Sequence, residues 1–329
     1  MSDSEPNMSE KHQNKPTLYD MPMDVFDNVM SNLEYKTHMV LRKVSKTLRQ
    51  IVDRCPPALK SVSLSIDNRG AELSFNGTKV AKKPVEVAIR DLKSAIWHPK
   101  IQLEHLKIEV ELRSWKLGKD GEVALREKYA DRIENVLTTL PHRRTLNVKK
   151  LELHVNIQDE ILAVLAHLTP GVLETIHIEY SSLTPSMFSV QLAATRLAMT
   201  KIIKLEQWKR AKHLHMDRFT VQFPVDNIKH FETTHIHLAS VSMQQLKVLR
   251  DAHLRNPNFV SLQLESSRQF DFYSLDAHLG AGIPQNEPND HDRYYPVPGS
   301  EDHVIHIFVN WNFARMERIL KSAIPENSV

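Results

Sequence analysis

The stretch Leu103–Ile108, with the sequence LEHLKI, introduces a pattern that decides the fold of most of the chain. Leu103 and Leu106 are apolar, and Ile108 follows two positions after Leu106. Apolar residues at every second position are typical of a half-buried strand, because successive side chains point to opposite faces. The pattern returns in VKKLEL (Val148–Leu153), LETIHI (Leu173–Ile178), AKHLHM (Ala211–Met216), FETTHI (Phe231–Ile236) and FVSLQL (Phe259–Leu264).

Helical patterns alternate with these strands. They cover Val123–Leu140, Ile161–Leu168, Phe188–Ile203 and Met243–Leu254. A strand with this spacing followed by a helix is the signature of leucine-rich repeats. The starts of the pattern are 20 to 45 residues apart, however, and Ala211 and Thr234 match it poorly. The sequence therefore predicts an irregular leucine-rich-repeat-like α/β domain, with a non-repetitive α/β domain as the open alternative.

Other signals lie on either side of this array. Ser61–Ile66 alternates as a strand does, and Asn76-Gly77 after it indicates a hairpin turn. Residues 280–302 contain four prolines and predict a long loop. Val304–Val309 predicts a last strand, and the residues after it predict a closing helix.

Composition restricts the class of protein. The chain has 329 residues, of which 41% are hydrophobic, and 43 Lys and Arg residues nearly balance 40 Asp and Glu residues. This balance argues against a nucleic-acid-binding protein. Neither a signal peptide nor an apolar run that could span a membrane is evident. A single cysteine, Cys55, excludes a disulfide framework, so we expect a cytoplasmic and/or nuclear protein.

Three short helical patterns crowd into Met21–Asp53. On the first of these, the apolar residues Val25, Phe26, Val29, Met30 and Leu33 form an arc that is wide for so small a unit. About 40 residues generally cannot fold alone without a metal, a disulfide or a partner. The surplus apolar surface therefore predicts either an interface or packing against the next domain.

This region resembles an F-box. The family pattern of a Leu-Pro start, apolar helices and a basic-apolar end corresponds here to Met21-Pro22, Met39-Val40-Leu41-Arg42, Val44-Ser45-Lys46 and Ile51-Val52. The form LRKVSKTLRQIVD is similar to nematode F-box proteins of the F-box A family that carry a downstream FTH domain. On this resemblance the chain divides into a disordered tail (1–16), an F-box (17–57), the α/β domain (58–324, FTH region about 100–270) and a tail (325–329).

The resemblance implies a role rather than a reaction. F-box proteins are substrate-recognition subunits of SCF-type cullin-RING ubiquitin ligases, which dock on the Skp adaptor while a downstream domain binds the client protein. A leucine-rich-repeat-like interaction scaffold outside the ubiquitin system is the alternative. Carried over by position, the residues expected to contact the adaptor are Met21, Pro22, Val25, Val29, Met39, Val40 and Val44.

No enzyme, cofactor or metal site is expected. The pairs His213-x-His215 and His235-x-His237 each place two imidazoles on one face of a strand. A zinc site would need three or four converging ligands, so solvated polar residues are the favoured interpretation. The position of Cys55 at a helix end lacks the features that activate a thiol.

The client site is expected on the polar face of the predicted sheet. In each strand the residue between the last two apolar positions should face outward, and a second outward position lies two residues further on. The first column is Lys107, Glu152, His177, His215, His235 and Gln263, with His306 on the terminal strand. The second column is Glu109, His154, Glu179, Asp217, His237 and Glu265.

Overall fold

A computed structural model gives the structure of the protein. It describes residues 21–55, 58–98, 100–112, 118–140, 145–181, 196–280, 283–284 and 291–324. The chain forms two compact units, Met1–Ala58 and Leu59–Val329. The tails predicted at 1–16 and 325–329 lie outside the described residues.

The N-terminal unit contains three helices: α1 (Met23–Ser31), α2 (Tyr35–Val44) and α3 (Lys46–Val52). Helix α1 begins after Pro22, whose fixed φ suits a helix start. Ser45 ends α2 in an extended conformation, and its side chain accepts a hydrogen bond from the Leu48 backbone nitrogen. This bond caps the start of α3. Ser45 is the single residue that separates α2 from α3.

The C-terminal unit is a mixed α/β domain rich in sheet. Its helices are α4 (Val85–Ile96), α5 (Gly118–Thr138), α6 (Gln158–Leu165), α7 (Glu206–Arg210), α8 (Met243–Arg255) and α9 (Leu275–Leu279). Its strands are β1 (Ser61–Asp67), β2 (Gly70–Phe75), β3 (Thr78–Lys79), β4 (Gln102–Glu111), β5 (Asn147–Val155), β6 (Thr175–Tyr180), β7 (Arg196–Leu197), β8 (His213–Asp217), β9 (Thr220–Val221), β10 (Thr233–Leu238), β11 (Ser261–Ser266), β12 (Ile283–Pro284), β13 (His291–Pro296), β14 (His303–Val309) and β15 (Phe313–Leu320).

The parallel strands β1, β4, β5, β6, β8, β10 and β11 lie side by side in chain order. Their register aligns the predicted apolar positions, so that Leu106, Leu151, Ile176, Leu214 and Thr234 form one row across the sheet. The positions of these strands and their register are therefore as the sequence pattern predicts. The assignment to leucine-rich repeats stays a prediction.

The core of the C-terminal unit lies under the apolar face of this sheet. Strands β8 and β10 alternate between buried and half-buried residues along their length. Even Ala211 and Thr234, the weakest matches to the pattern, are only 3% and 1% exposed. The opposite face therefore carries side chains that are not needed to fill the core.

The turn predicted at Asn76-Gly77 is also as expected. Asn76 and Gly77 both have positive φ, of 49° and 80°, which suits a tight turn between β2 and β3. The side-chain oxygen of Asn76 accepts hydrogen bonds from the backbone nitrogens of Lys60 and Ser61. The turn is thereby fixed to the start of β1.

Three predictions for the C-terminal half are wrong. The predicted loop at 280–302 contains strand β13, which pairs with β14 because Tyr294-Tyr295 suits a sheet and the proline at position 296 comes only at the strand end. The predicted closing helix is instead β15, an antiparallel strand that also pairs with β11. In the described part of Phe188–Ile203, Arg196–Leu197 pairs with β9 as a strand.

Among the described residues, no helix is both long and apolar enough to cross a membrane.

Candidate functional site

The helices of the N-terminal unit share a small core. Its buried residues are Phe26, Met30, Leu48, Val52 and Cys55, and those packed partly against it are Met21, Leu33, Leu41 and Ile51. Cys55 is 4% exposed, and its thiol donates a hydrogen bond to Asp27 Oδ1 at 2.9 Å. This cysteine is therefore part of the interior of the unit.

Four valines of the same unit remain on its surface. Val25 and Val29 on α1 are 43% and 41% exposed, and Val40 and Val44 on α2 are 56% and 64% exposed. Members of each pair are four residues apart, so they lie one helical turn from each other on the same side of the helix. These exposed valines were all predicted as adaptor contacts, and none of them fills the core.

The other three predicted adaptor contacts differ in burial. Pro22 is exposed, and its carbonyl accepts the Phe26 N–H at 3.0 Å. Met21 and Met39 are half-buried, and Met21 packs against the core. Met21 therefore has an internal packing role in addition to any contact with a partner.

The two predicted columns of the C-terminal unit do form the polar face of its sheet. Direct pairing aligns Lys107, Glu152, His177, His215, His235 and Gln263 as the first column. Glu109, His154, Glu179 and Asp217 align as part of the second column, and His237 pairs with Glu265. We call these two columns the polar face.

Carboxylates surround His154 on this face. Its Nδ1 lies 3.3 Å from Glu109 Oε1, and its Nε2 lies 3.1 Å from Glu152 Oε1 and 3.6 Å from Glu179 Oε2. Hydrogen bonds that the His154 ring donates to Glu109 and Glu152 raise the pKa of His154 to about 9. His154, with Lys107 beside it, holds the pKa of Glu152 well below its ordinary value, although burial opposes this.

Three imidazoles follow in the first column. The rings of His177 and His215 are 4.6 Å apart between centroids, and so are those of His215 and His235, each pair edge to face. Asp217 lies among them, with its Oδ2 2.5 Å from His215 Nε2. Burial would raise the pKa of Asp217, but the imidazoles of His177 and His215 outweigh it and lower that pKa.

The ends of the first column are less uniform. Lys107 Nζ contacts Glu152 Oε1 at 3.0 Å, and Gln263 faces Arg315 of β15. His306 lies on β14, which β15 separates from β11, and pairs with Glu317 and Tyr294. Its Nε2 is 2.7 Å from Asp292 Oδ1. His306 therefore stands apart from the histidines of the column, contrary to its predicted place in line with them.

A buried ion pair that the sequence did not reveal supports this region from the opposite side. Arg126 of α5 is 1% exposed, and its Nη1 donates to Glu160 Oε1 at 3.0 Å and to the Val110 carbonyl at 2.9 Å. Glu160 Oε2 accepts the backbone N–H groups of Asn156 and Ile157. The pair thus connects α5, the end of β4 and the start of α6.

Comparison with known proteins finds matches to two domain families. Residues 18–60 match the F-box domain and residues 127–276 match the FTH domain. The FTH match begins after β4, later than the predicted start near residue 100, and it includes β5, β6, β8, β10 and β11. F-box A protein 224 of Caenorhabditis elegans is 21% identical over 321 residues, covering 88% of this chain and 76% of that protein.

Proposed function

We propose that this chain, which has an F-box domain followed by an FTH domain, is the substrate-recognition subunit of an SCF-type cullin-RING E3 ubiquitin ligase. F-box domains typically bind the Skp adaptor within SCF complexes. In this proposal the adaptor links the chain to a cullin scaffold, and the C-terminal unit holds the client protein. The ligase works in the cytoplasm, the nucleus or both.

The observation that carries the adaptor half of the proposal is the exposure of the four valines. Each fully buried Val contributes about 1.5 to 3 kcal/mol relative to leaving it in water. A unit with so small a core gains little by displaying four valines unless a partner covers them. Two valine pairs on adjacent helices offer anchors of the kind that dominate protein interfaces.

The polar face supports the client half. Its side chains are free of the core, and they present a row of histidines beside a row rich in carboxylates. Such residues can donate and accept hydrogen bonds to a client that carries both charges. We place the client contacts on Lys107, Glu152, His177, His215, His235 and Gln263, with His306 at the margin.

The chain itself performs no chemistry in this proposal. It raises the effective concentration of the client beside the ubiquitin-charged enzyme. The burial of Cys55 and its hydrogen bond to Asp27 are those of a structural thiol, because a nucleophilic cysteine needs access to its substrate.

A second candidate function is a leucine-rich-repeat-like scaffold without a role in ubiquitin transfer. It is favoured by the seven parallel strands that follow one another in chain order. In such a scaffold the three N-terminal helices would serve as a cap of the array. Binding of purified Skp adaptor separates the two candidates, since only the ligase subunit requires it.

The experiment is a pull-down of Skp adaptor with full-length chain carrying both Val25→Asp and Val29→Asp. Burying two unpaired carboxylates in the interface should abolish the complex. The matched control is Val260→Asp, since Val260 is 55% exposed but belongs to the C-terminal unit. Adaptor recovered at the wild-type yield with the double variant would refute the assignment of these valines and with it the proposed docking mode.

A further inference from the structure

Histidines from two strands converge on a single aspartate at the centre of the polar face. His177 on β6 pairs directly with His215 on β8, and Asp217 follows two positions after His215 on the same face. The ligand atoms of these three residues all lie within 4.8 Å of one another. Among the described residues, this is the one group of three His, Cys, Asp or Glu side chains that lie close enough together to share a metal ion.

The carboxylate of Asp217 is the point on which the imidazoles converge. His177 Nε2 is 3.6 Å and His215 Nε2 is 2.5 Å from the same oxygen, Oδ2. On the other side, His235 Nδ1 is 3.6 Å from Oδ1. Two nitrogens from adjacent strands are thus directed at one oxygen, while a third nitrogen faces the other oxygen.

The second feature of this cluster is the environment of His177 Nε2. The atom is buried and has no hydrogen-bond partner among the described residues. Its distance of 3.6 Å from Asp217 Oδ2 is too long for a hydrogen bond. A buried polar atom without a partner is costly, so a group that fills this gap would stabilise the arrangement.

A transition-metal ion fits the gap by distance and by donor type. Zinc binds His nitrogen at about 2.0–2.1 Å and carboxylate oxygen at about 2.0–2.2 Å, so neighbouring tetrahedral ligands stand about 3.3 Å apart. The spacing of 3.6 Å between His177 and Asp217 is close to this. The contact between His215 and Asp217 must lengthen, and the His215 side chain is 41% exposed and has room to turn.

We propose that His177, His215 and Asp217 form a binding site for a divalent transition-metal ion of the zinc class. Two imidazoles and one carboxylate are a ligand set that zinc accepts in proteins, with the fourth position open. His235 Nδ1 faces the other carboxylate oxygen, Oδ1, at 3.6 Å and is not itself among the proposed ligands. This proposal departs from the sequence prediction that the histidines are solvated polar residues, and it stands independently of the ligase proposal.

The open fourth coordination position would let the ion bind a further ligand at this surface. An ion there would face outward from the sheet, where water or a side chain of a bound protein with a nitrogen, oxygen or sulfur donor could complete the coordination. Glu179 does not compete for the ion, because Arg218 Nη1 lies 3.2 Å from its Oε1 and His154 Nε2 lies 3.6 Å from its Oε2.

The test measures zinc binding by the full-length chain. After treatment with a chelator, the protein is titrated with Zn²⁺ against a chromophoric competitor, and Co²⁺ substitution is followed by visible absorption. We expect one equivalent bound per chain in the wild type. Asp217→Asn and the double variant His177→Ala with His215→Ala should lose this equivalent.

His213→Ala is the matched control, since His213 lies on β8 one row away from the cluster and faces the same side. It should bind Zn²⁺ as the wild type does. Circular dichroism and thermal melting establish that each variant is folded, and Asp217→Asn preserves the side-chain shape if the double variant is not. Failure of the wild type to bind Zn²⁺, or equal binding by the wild type and Asp217→Asn, would overturn the proposal.

Discussion

The two units differ in the kind of side chain that they leave on their surfaces. The N-terminal unit leaves four valines exposed, whereas the C-terminal unit buries the apolar side of its parallel strands and exposes a polar side. In the N-terminal unit, the exposed valines are apolar side chains that the small core does not cover. In the C-terminal unit, the surface carries charged and imidazole groups that bond with one another. The contrast supports the proposal that the N-terminal unit docks through apolar contacts and the C-terminal unit recognises its client through polar ones.

The largest expected effect comes from the second valine pair. Val40→Asp together with Val44→Asp should abolish adaptor binding, because both side chains are more than half exposed and neither contributes to the core. Isothermal titration of full-length chain with Skp adaptor measures this, and circular dichroism should be unchanged. Retained affinity would confine the adaptor interface to α1.

A loss of stability should follow from breaking the buried ion pair of the C-terminal unit. Arg126→Met leaves Glu160 buried without its cation and should lower the free energy of unfolding by about 3–5 kcal/mol. Arg132→Met, which removes the exposed partner of Glu86, is the control and should have a much smaller effect. Urea unfolding measures both. Equal losses would show that the buried ion pair contributes no more to stability than the surface pair does.

The amount of client that the chain captures tests whether the polar face is the client site. Replacing His177, His215 and His235 with alanine should reduce capture of clients from native extract severalfold, as judged by cross-linking and co-purification. Adaptor binding and circular dichroism should remain as in the wild type, since these side chains fill no core space. Unchanged capture would move the client site to another surface of the C-terminal unit.

A smaller effect concerns pH. The pKa of His154 is about 9 in the folded protein and about 6.5 in the unfolded chain. Between these two values the folded protein keeps a proton on His154 that the unfolded chain has released. The resulting stabilisation is fully present below about pH 6.5 and is lost as the pH rises through about 9. It amounts to about 3 kcal/mol before solvent screening, which lowers it. Urea unfolding at pH 6 and pH 9.5 should show a larger loss in wild type than in His154→Gln, and equal losses would contradict this origin.

Sequence periodicity predicted the parallel strands and both polar columns, because burial of one face imposes a period of two on each strand. It did not predict β13 and β15, whose pairing is antiparallel and whose sequences lack the repeated spacing. Helix α4 likewise falls outside the sequence prediction, although Ala88, Leu92 and Ile96 are buried one turn apart.

The site was predictable in part. Spacing along single strands suggested His213 with His215 and His235 with His237, yet the closest group joins β6 to β8. The repeated pattern did place His177, His215 and Asp217 in the two columns, but which of their side chains approach one another depends on side-chain rotamers, which the pattern does not contain. Arg126 and Glu160 were also hidden, because a charged residue on a helix ordinarily indicates a solvated face.

The most direct test of the ligase assignment is a reconstituted ubiquitin-transfer reaction. It contains the chain, Skp adaptor, cullin, RING subunit, ubiquitin and its charged enzyme, and the signal is ubiquitin attached to a co-purified client. We predict that transfer requires both adaptor and cullin, stops with Val25→Asp and Val29→Asp, and continues with Cys55→Ser, whose hydroxyl can still donate to Asp27. Transfer that persists without adaptor and cullin but disappears with Cys55→Ser would contradict the assignment.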